Sequence, residues 1–157
     1  MDYKIRNIRE TEYKILSDFL YEAIFIPEGV KSPPKDIINK PELQVYISDF
    51  GKHSGDYCLV AESDKKIVGA VWVRIMNDYG HVDNETPSFA ISLFPEYRNH
   101  GIGTALMKSM IELLKTEKYK QASLAVQKTN YAVNMYKNVG FEITDENEEE
   151  YIMICKL

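Results

Sequence analysis

Residues 93–106 read Leu-Phe-Pro-Glu-Tyr-Arg-Asn-His-Gly-Ile-Gly-Thr-Ala-Leu and carry the densest chemical signal in the chain. A β-type run ends there and a helical pattern begins, joined through Gly101 and Gly103. At such a helix start several backbone N–H groups lack partners and point outward along the positive end of the helix dipole. Glycine lets a bulky diphosphate approach that backbone. The implied chemistry is the binding of a phosphate-bearing ligand. A dinucleotide fingerprint would need a third glycine, where Leu106 stands, and a Walker loop would need a Gly-Lys-Ser/Thr ending, which is missing. On the two glycines alone, a plain turn that merely suits the backbone stays an open reading.

Other candidates are weaker. His81, Asp83 and Glu85 alternate in a way that could align three metal ligands on an extended segment. Asn77, Gly80 and Asn84 mark that stretch as a turn, so no metal site is expected. The run Asp145, Glu146, Glu148, Glu149 and Glu150 reads as a solvated hairpin turn, with attraction of cationic substrates as its sharper meaning. Cys58 and Cys155 sit in apolar runs without CxxC spacing and read as reduced core thiols.

The elements that must position these groups follow from periodicity. Tyr3, Ile5 and Ile8 suggest a first strand, and Thr11 to Ile26 a helix. Pro27 to Lys35 is a loop, and Pro41 starts a second helix ending near Phe50. Tyr57–Glu62 and Ile67–Met76 form a hairpin, Asn77–Pro87 a loop and Ser88–Phe94 a strand stopped by Pro95. A helix over Ile102–Leu114, a strand over Ala122–Val126 and a helix over Asn130–Val139 come next, with Gly140 as the stop. Phe141–Ile143 and Tyr151–Leu157 close the chain. The order β-α-α-β-β-β-α-β-α-β-β predicts an α/β (α+β mixed) fold with one mixed central sheet of about six to seven strands and about four helices.

Length and composition fit one domain over residues 1–157. The formal net charge of −5 argues against a nucleic-acid binder, which needs a basic face. The N-terminal stretch is charged and mixed, and no run approaches the roughly 18 apolar residues of a membrane span. The expected compartment is the cytoplasm.

In its surroundings the glycine turn resembles the acetyl-coenzyme A signature of the GNAT superfamily (Gcn5-related N-acetyltransferases), Arg/Gln-x-x-Gly-x-Gly/Ala, met by Arg98, Gly101 and Gly103. A second segment, Ala132 to Phe141, is similar to that family's A-x-x-x-Y-x-x-x-G-F pattern through Ala132, Tyr136, Gly140 and Phe141. The two lie in the family's order, with a helix and a strand between them.

The resemblance implies a GNAT-like fold and acetyl transfer from acetyl-CoA to a primary amine, on a small molecule or a peptide, without a metal. It places the diphosphate on the amides of Arg98, Asn99, His100, Gly101, Ile102, Gly103 and Thr104. Leu93 becomes the position whose backbone meets the pantetheine arm, where a splay or bulge would expose its amide to the thioester carbonyl. Asn130 and Asn134 would line the cofactor groove, although Thr129 stands where relatives often carry Asn. The resemblance also allows a homodimer through the late strands.

Transfer to an amine needs a neutral nucleophile, stabilised oxyanion charge and a proton for the departing sulfur. Tyr136 is the implied general acid. The family often puts a carboxylate on the strand leading to the cofactor, but Ser88–Ser92 offers none. Glu85 is therefore the first-ranked base, ahead of Asp83 and Glu28. A non-catalytic acyl-CoA binding or sensor module is the alternative. Acceptor choice is expected to lie in residues 25–55 and 77–87.

Overall fold

Alternate residues of Tyr57–Ser63 face opposite ways, as do those of Lys66–Arg74. Leu59, Ala61, Val71 and Val73 join one buried cluster, while Cys58, Val60, Ala70 and Trp72 join another. A sheet buried on both faces needs helices on both sides. The structure, a computed structural model describing residues 2–157, meets that need.

Its elements are β1 (Lys4–Asn7), α1 (Leu16–Ala23), α2 (Pro41–Gln44), β2 (Tyr57–Ser63), β3 (Lys66–Arg74), β4 (Ser88–Leu93), α3 (Ile102–Thr116), β5 (Gln121–Gln127), α4 (Ala132–Asn138), β6 (Phe141–Glu146) and β7 (Glu150–Lys156). The strands form one sheet in the order β1-β2-β3-β4-β5-β7-β6. Every neighbouring pair is antiparallel except β4 and β5. Ile102, Leu106 and Met110 of α3 and Val133 of α4 pack on one face, and Leu16, Phe19 and Leu20 of α1 on the other. The mixed α/β architecture and element order match the sequence reading.

Two helices depart from it, each for a visible reason. The first is wound as a tight 3-10 turn over Glu10–Ile15, where Glu12 is held by Arg6 at 2.9 Å and by the Arg9 N–H at 2.8 Å. It stops at Ala23, where Ile24 is already extended (φ −70°, ψ 118°). The second helix lasts only from Pro41 to Gln44. Its continuation loses carbonyls to the sheet: Arg74 donates to the oxygens of Val45 (3.1 Å) and Ser48 (2.8 Å), and the Trp72 indole donates to that of Tyr46 (3.1 Å).

Arg74 is buried and also meets Asp56, Nη2 to Oδ2 at 2.8 Å and Nε to Oδ1 at 3.0 Å. The same carboxylate accepts the Gly51 N–H at 3.0 Å. Asp56 thus ties the segment after α2 to β3. Asp56→Ala strands a buried guanidinium, so we expect a loss of about 3–5 kcal/mol in urea unfolding. A change near zero shows that solvent reaches Arg74.

Both cysteines are buried and free. No helix among the described residues is long and apolar enough to cross a membrane.

Candidate active site

The parallel pair β4–β5 holds by a single register partner, Ser88 with Ser123. Beyond it the two strands part. The Phe94 N–H bonds to the Val68 carbonyl at 3.0 Å, so by alternation the amides of Ile91 and Leu93 turn away from β3 and into the gap. There the sheet opens into a cleft of about 650 Å³, bordered by Ile91, Leu93, Gly101, Gly103, Met135 and Tyr136. Gly69 helps to shape it: a Cβ there would lie 3.0 Å from the Leu93 side chain.

One wall is the turn before α3. The Arg98 N–H bonds to the Pro95 carbonyl, and the next chain amide with a backbone acceptor is Ala105, bonded to Gly101 at 3.1 Å. The six N–H groups of residues 99 to 104 take no backbone acceptor. Asn99 (φ 63°) and Gly101 (φ 82°) are both left-handed, which curls the backbone into an anion-binding concavity at the helix start. At Gly101 glycine is required by conformation, since a Cβ would touch nothing within 4 Å. At Gly103 a Cβ would meet only ordinary contacts, 3.4 Å from Leu93 Cδ1 and 3.8 Å from Met135 Cε, both cleft-lining residues, so glycine there keeps the cleft side open for a ligand. Unpartnered amides, a left-handed curl and an open Cβ position together fit a diphosphate.

The side chains named from the sequence divide. Arg98 borders the cleft but not as a free cation. Its Nε donates to the Leu93 carbonyl (3.3 Å) and its Nη2 reaches Glu22 (3.4 Å), so it braces the end of β4 against α1. Asn99, Gly101, Gly103 and Thr104 border the cleft. The Ile102 side chain is fully buried beneath the sheet and His100 is exposed outside the cleft, so only their amides face the curl. Asn130 borders the cleft, but its Oδ1 accepts the Ala132 N–H at 2.9 Å and starts α4. Asn134 is exposed on α4 and does not line the cleft.

Tyr136 stands on the cleft wall with its ring against Phe141, centroids 6.3 Å apart. Burial, with Tyr131 nearby, pushes its phenol up to about 12. It is therefore a protonated donor throughout the neutral range.

The structure does not bring Glu85 to this place. The residue is exposed in the loop before β4, at the strand end opposite Leu93, and borders neither the cleft nor the cavity next to it. Asp83 and Glu28 also lie outside both. His81 turns its Nδ1 to the Met76 carbonyl at 2.8 Å, and no group of three or more metal-ligating side chains forms among the described residues.

A second cavity of about 220 Å³ continues behind Tyr136, Asn130 and Ile91, which border both spaces. Phe25, Leu43, Tyr46, Tyr79, Gln127 and Glu150 close it. The loop carrying Tyr79 is drawn against β5 by Gly80, whose Cβ position lies 3.0 Å from the Ala125 nitrogen and whose carbonyl accepts Ser123 Oγ at 2.7 Å. Phe25, Tyr46 and Tyr79 come from the two segments expected to govern the acceptor. Glu150 comes from the acidic run read as a solvated turn with attraction of cationic substrates as its sharper meaning; Gln127, its neighbour on β5, was not signalled by the sequence.

The sequence profile of the acetyltransferase (GNAT) family matches residues 18–141. The chain belongs to that family. Among relatives, a provisionally named ribosomal-protein-bS18-alanine N-acetyltransferase from Bacillus subtilis is 31% identical over 104 residues, covering 60% of this chain and 65% of that protein. N-acetyltransferase 8B from Homo sapiens is 24% identical over 113 residues, covering 71% of this chain and 50% of that protein. This GNAT chain therefore spans between half and two thirds of these two relatives. An N-alpha-acetyltransferase from Sulfurisphaera tokodaii is 29% identical over 128 residues, covering 69% and 75%. Of solved structures, a PaiA N-acetyltransferase from Thermoplasma acidophilum, crystallised with coenzyme A, superposes with a TM-score of 0.73 at 19% identity, with full coverage of both chains. The fold is thus shared along the whole length.

Proposed function

We propose that the chain is an N-acetyltransferase that moves the acetyl group of acetyl-CoA to a primary amine. The observation carrying this reading is the meeting, at one cleft, of a turn with six unpartnered amides, four of them on residues that border the cleft, with two splayed-strand amides and a protonated tyrosine. The thioester supplies an activated acyl group and a sulfur leaving group. The amides of residues 99 to 104 hold the diphosphate in place. Those of Ile91 and Leu93 face the gap, where N–H donors fixed in advance stabilise charge developing on a carbonyl oxygen. Tyr136 gives its proton to the departing sulfur and recovers one from solvent. The amine arrives protonated and sheds two protons overall, one balancing the thiol and one released to solvent.

The test is thiol release from acetyl-CoA with a panel of amines: butylamine, spermidine and a short peptide with a free N-terminus. We expect amine-dependent release with at least one of them, alongside coenzyme A binding in calorimetry. Binding without release on any amine favours the sensor module, and absence of binding overturns the reading altogether.

A further inference from the structure

The smaller cavity is distinctive in its charge. Among the residues that line it, Glu150 alone is charged, and no lysine or arginine borders it. Its other polar walls are neutral: Tyr46, Tyr79, Gln127, Asn130 and Tyr136.

Glu150 opens β7 opposite Gln127 and is only half-exposed. The turn before it is fastened by Asn147, whose Oδ1 accepts the N–H groups of Glu149 (2.8 Å) and Glu150 (2.7 Å). Glu150 borders the cavity, while Glu146 in the same run pairs with Lys128 at 3.4 Å. Glu150 enters no such ion pair among the described residues; its charged neighbour is the like-charged Glu149, and burial together with Glu149 pushes its carboxyl up. Asp78, behind Tyr46, adds a second carboxyl, held by Ser88 Oγ at 3.0 Å and likewise pushed up by burial. A partly desolvated carboxylate without a cation is costly, and an incoming ammonium removes that cost. A ligand bringing its own carboxylate meets repulsion with nothing to offset it. The space, about 220 Å³, holds about seven water-sized atoms at roughly 30 Å³ each.

We infer that this cavity takes a primary ammonium on a short, uncharged stem, with Glu150 as its anchor, and presents the nitrogen at the gap beside Tyr136. The inference rests on the proposed acetyl transfer and names its acceptor class. A free alkylamine and an uncharged N-terminal residue of a peptide share this chemistry. Compounds that pair the amine with a carboxylate a few atoms away are excluded from the class.

The experiment titrates butylamine, 4-aminobutyrate and the amide of Ala-Gly-Ala into the coenzyme A-saturated protein at neutral pH, followed by NMR. Butylamine or the peptide amide, or both, should bind at least ten-fold tighter than 4-aminobutyrate; which of the two leads tells a free amine from a peptide terminus. Glu150→Gln should weaken that binding by about ten- to a hundred-fold, the range of a charge-assisted hydrogen bond. Glu150→Asp should restore part of it, and Glu150→Lys should reverse the preference towards 4-aminobutyrate. Coenzyme A affinity should be the same in all variants, which separates the effect from misfolding. Equal amine binding by Glu150→Gln, equal binding of 4-aminobutyrate by the wild type, or no binding of any amine overturns the inference. If amines bind through Glu150 but no thiol is released, acetyl transfer falls and the ammonium site stands. If thiol is released and the amine KM is the same in Glu150→Gln, the site falls and transfer stands.

Discussion

Gly103→Glu should reduce coenzyme A affinity by more than about a hundred-fold while leaving the fold at least as stable as before. The two effects have separate origins. At Gly103 the new Cβ stands on the cleft side, 3.4 Å from Leu93 Cδ1, so the rest of the side chain occupies the seat of the ligand and sets a negative charge beside its phosphates. A hundred-fold corresponds to about 2.7 kcal/mol, modest for a clash of bulk and like charge combined. Stability moves the other way. Gly103 is helical and outside the left-handed region, so glutamate there gains about 0.5–1 kcal/mol of helix propensity, and its charge suits the helix N-terminus. Calorimetry with coenzyme A and a thermal melt on the same preparation read both. Retained affinity places the diphosphate elsewhere, and a lowered melting temperature shows that the site does not tolerate the side chain.

Tyr136→Phe should lower kcat by about a hundred-fold or more, the usual scale of a lost general acid, with coenzyme A affinity within about two-fold of the wild type. Phenylalanine keeps the packing on Phe141 and removes only the hydroxyl, so the fold is not at risk. The pH profile adds a second constraint. Because the phenol is pushed up to about 12, its proton is present below that value and lost above it. The wild-type rate should therefore show no basic limb from Tyr136 across the neutral and mildly basic range. Unchanged kcat makes Tyr136 a wall of the cleft.

The order of elements was legible because each strand and helix repeats its apolar residues at its own period. Residues whose backbone partners come from afar were not. Nothing local in Val45–Ser48 says that Arg74 and Trp72 will take its carbonyls, so α2 reads as longer than it is. The glycine turn was readable because Gly101 is needed for its conformation and Gly103 for its openness, two demands visible as residue type. The carboxylate was misread for a geometric reason. Glu85 precedes β4, but a strand rises about 3.3 Å per residue, so Ser88 and Leu93 lie roughly 16 Å apart and the loop residue is left at the far end. Glu150 was hidden in plain composition: five acidic residues in one run look alike, and only the Asn147 turn and the pairing of β7 with β5 single one out.

The lone β4–β5 rung leaves the middle of this sheet with an interior edge. Central strands ordinarily shelter their amide protons from solvent, yet Ile91 and Leu93 have no neighbour on one side. In deuterated water their protons should be replaced quickly in the empty protein, at rates closer to those of loops than to those of Val71 across the ladder. An extended ligand arm lying in the gap acts as a surrogate strand. Its arrival should slow both positions together, a signature that measures occupancy without any turnover.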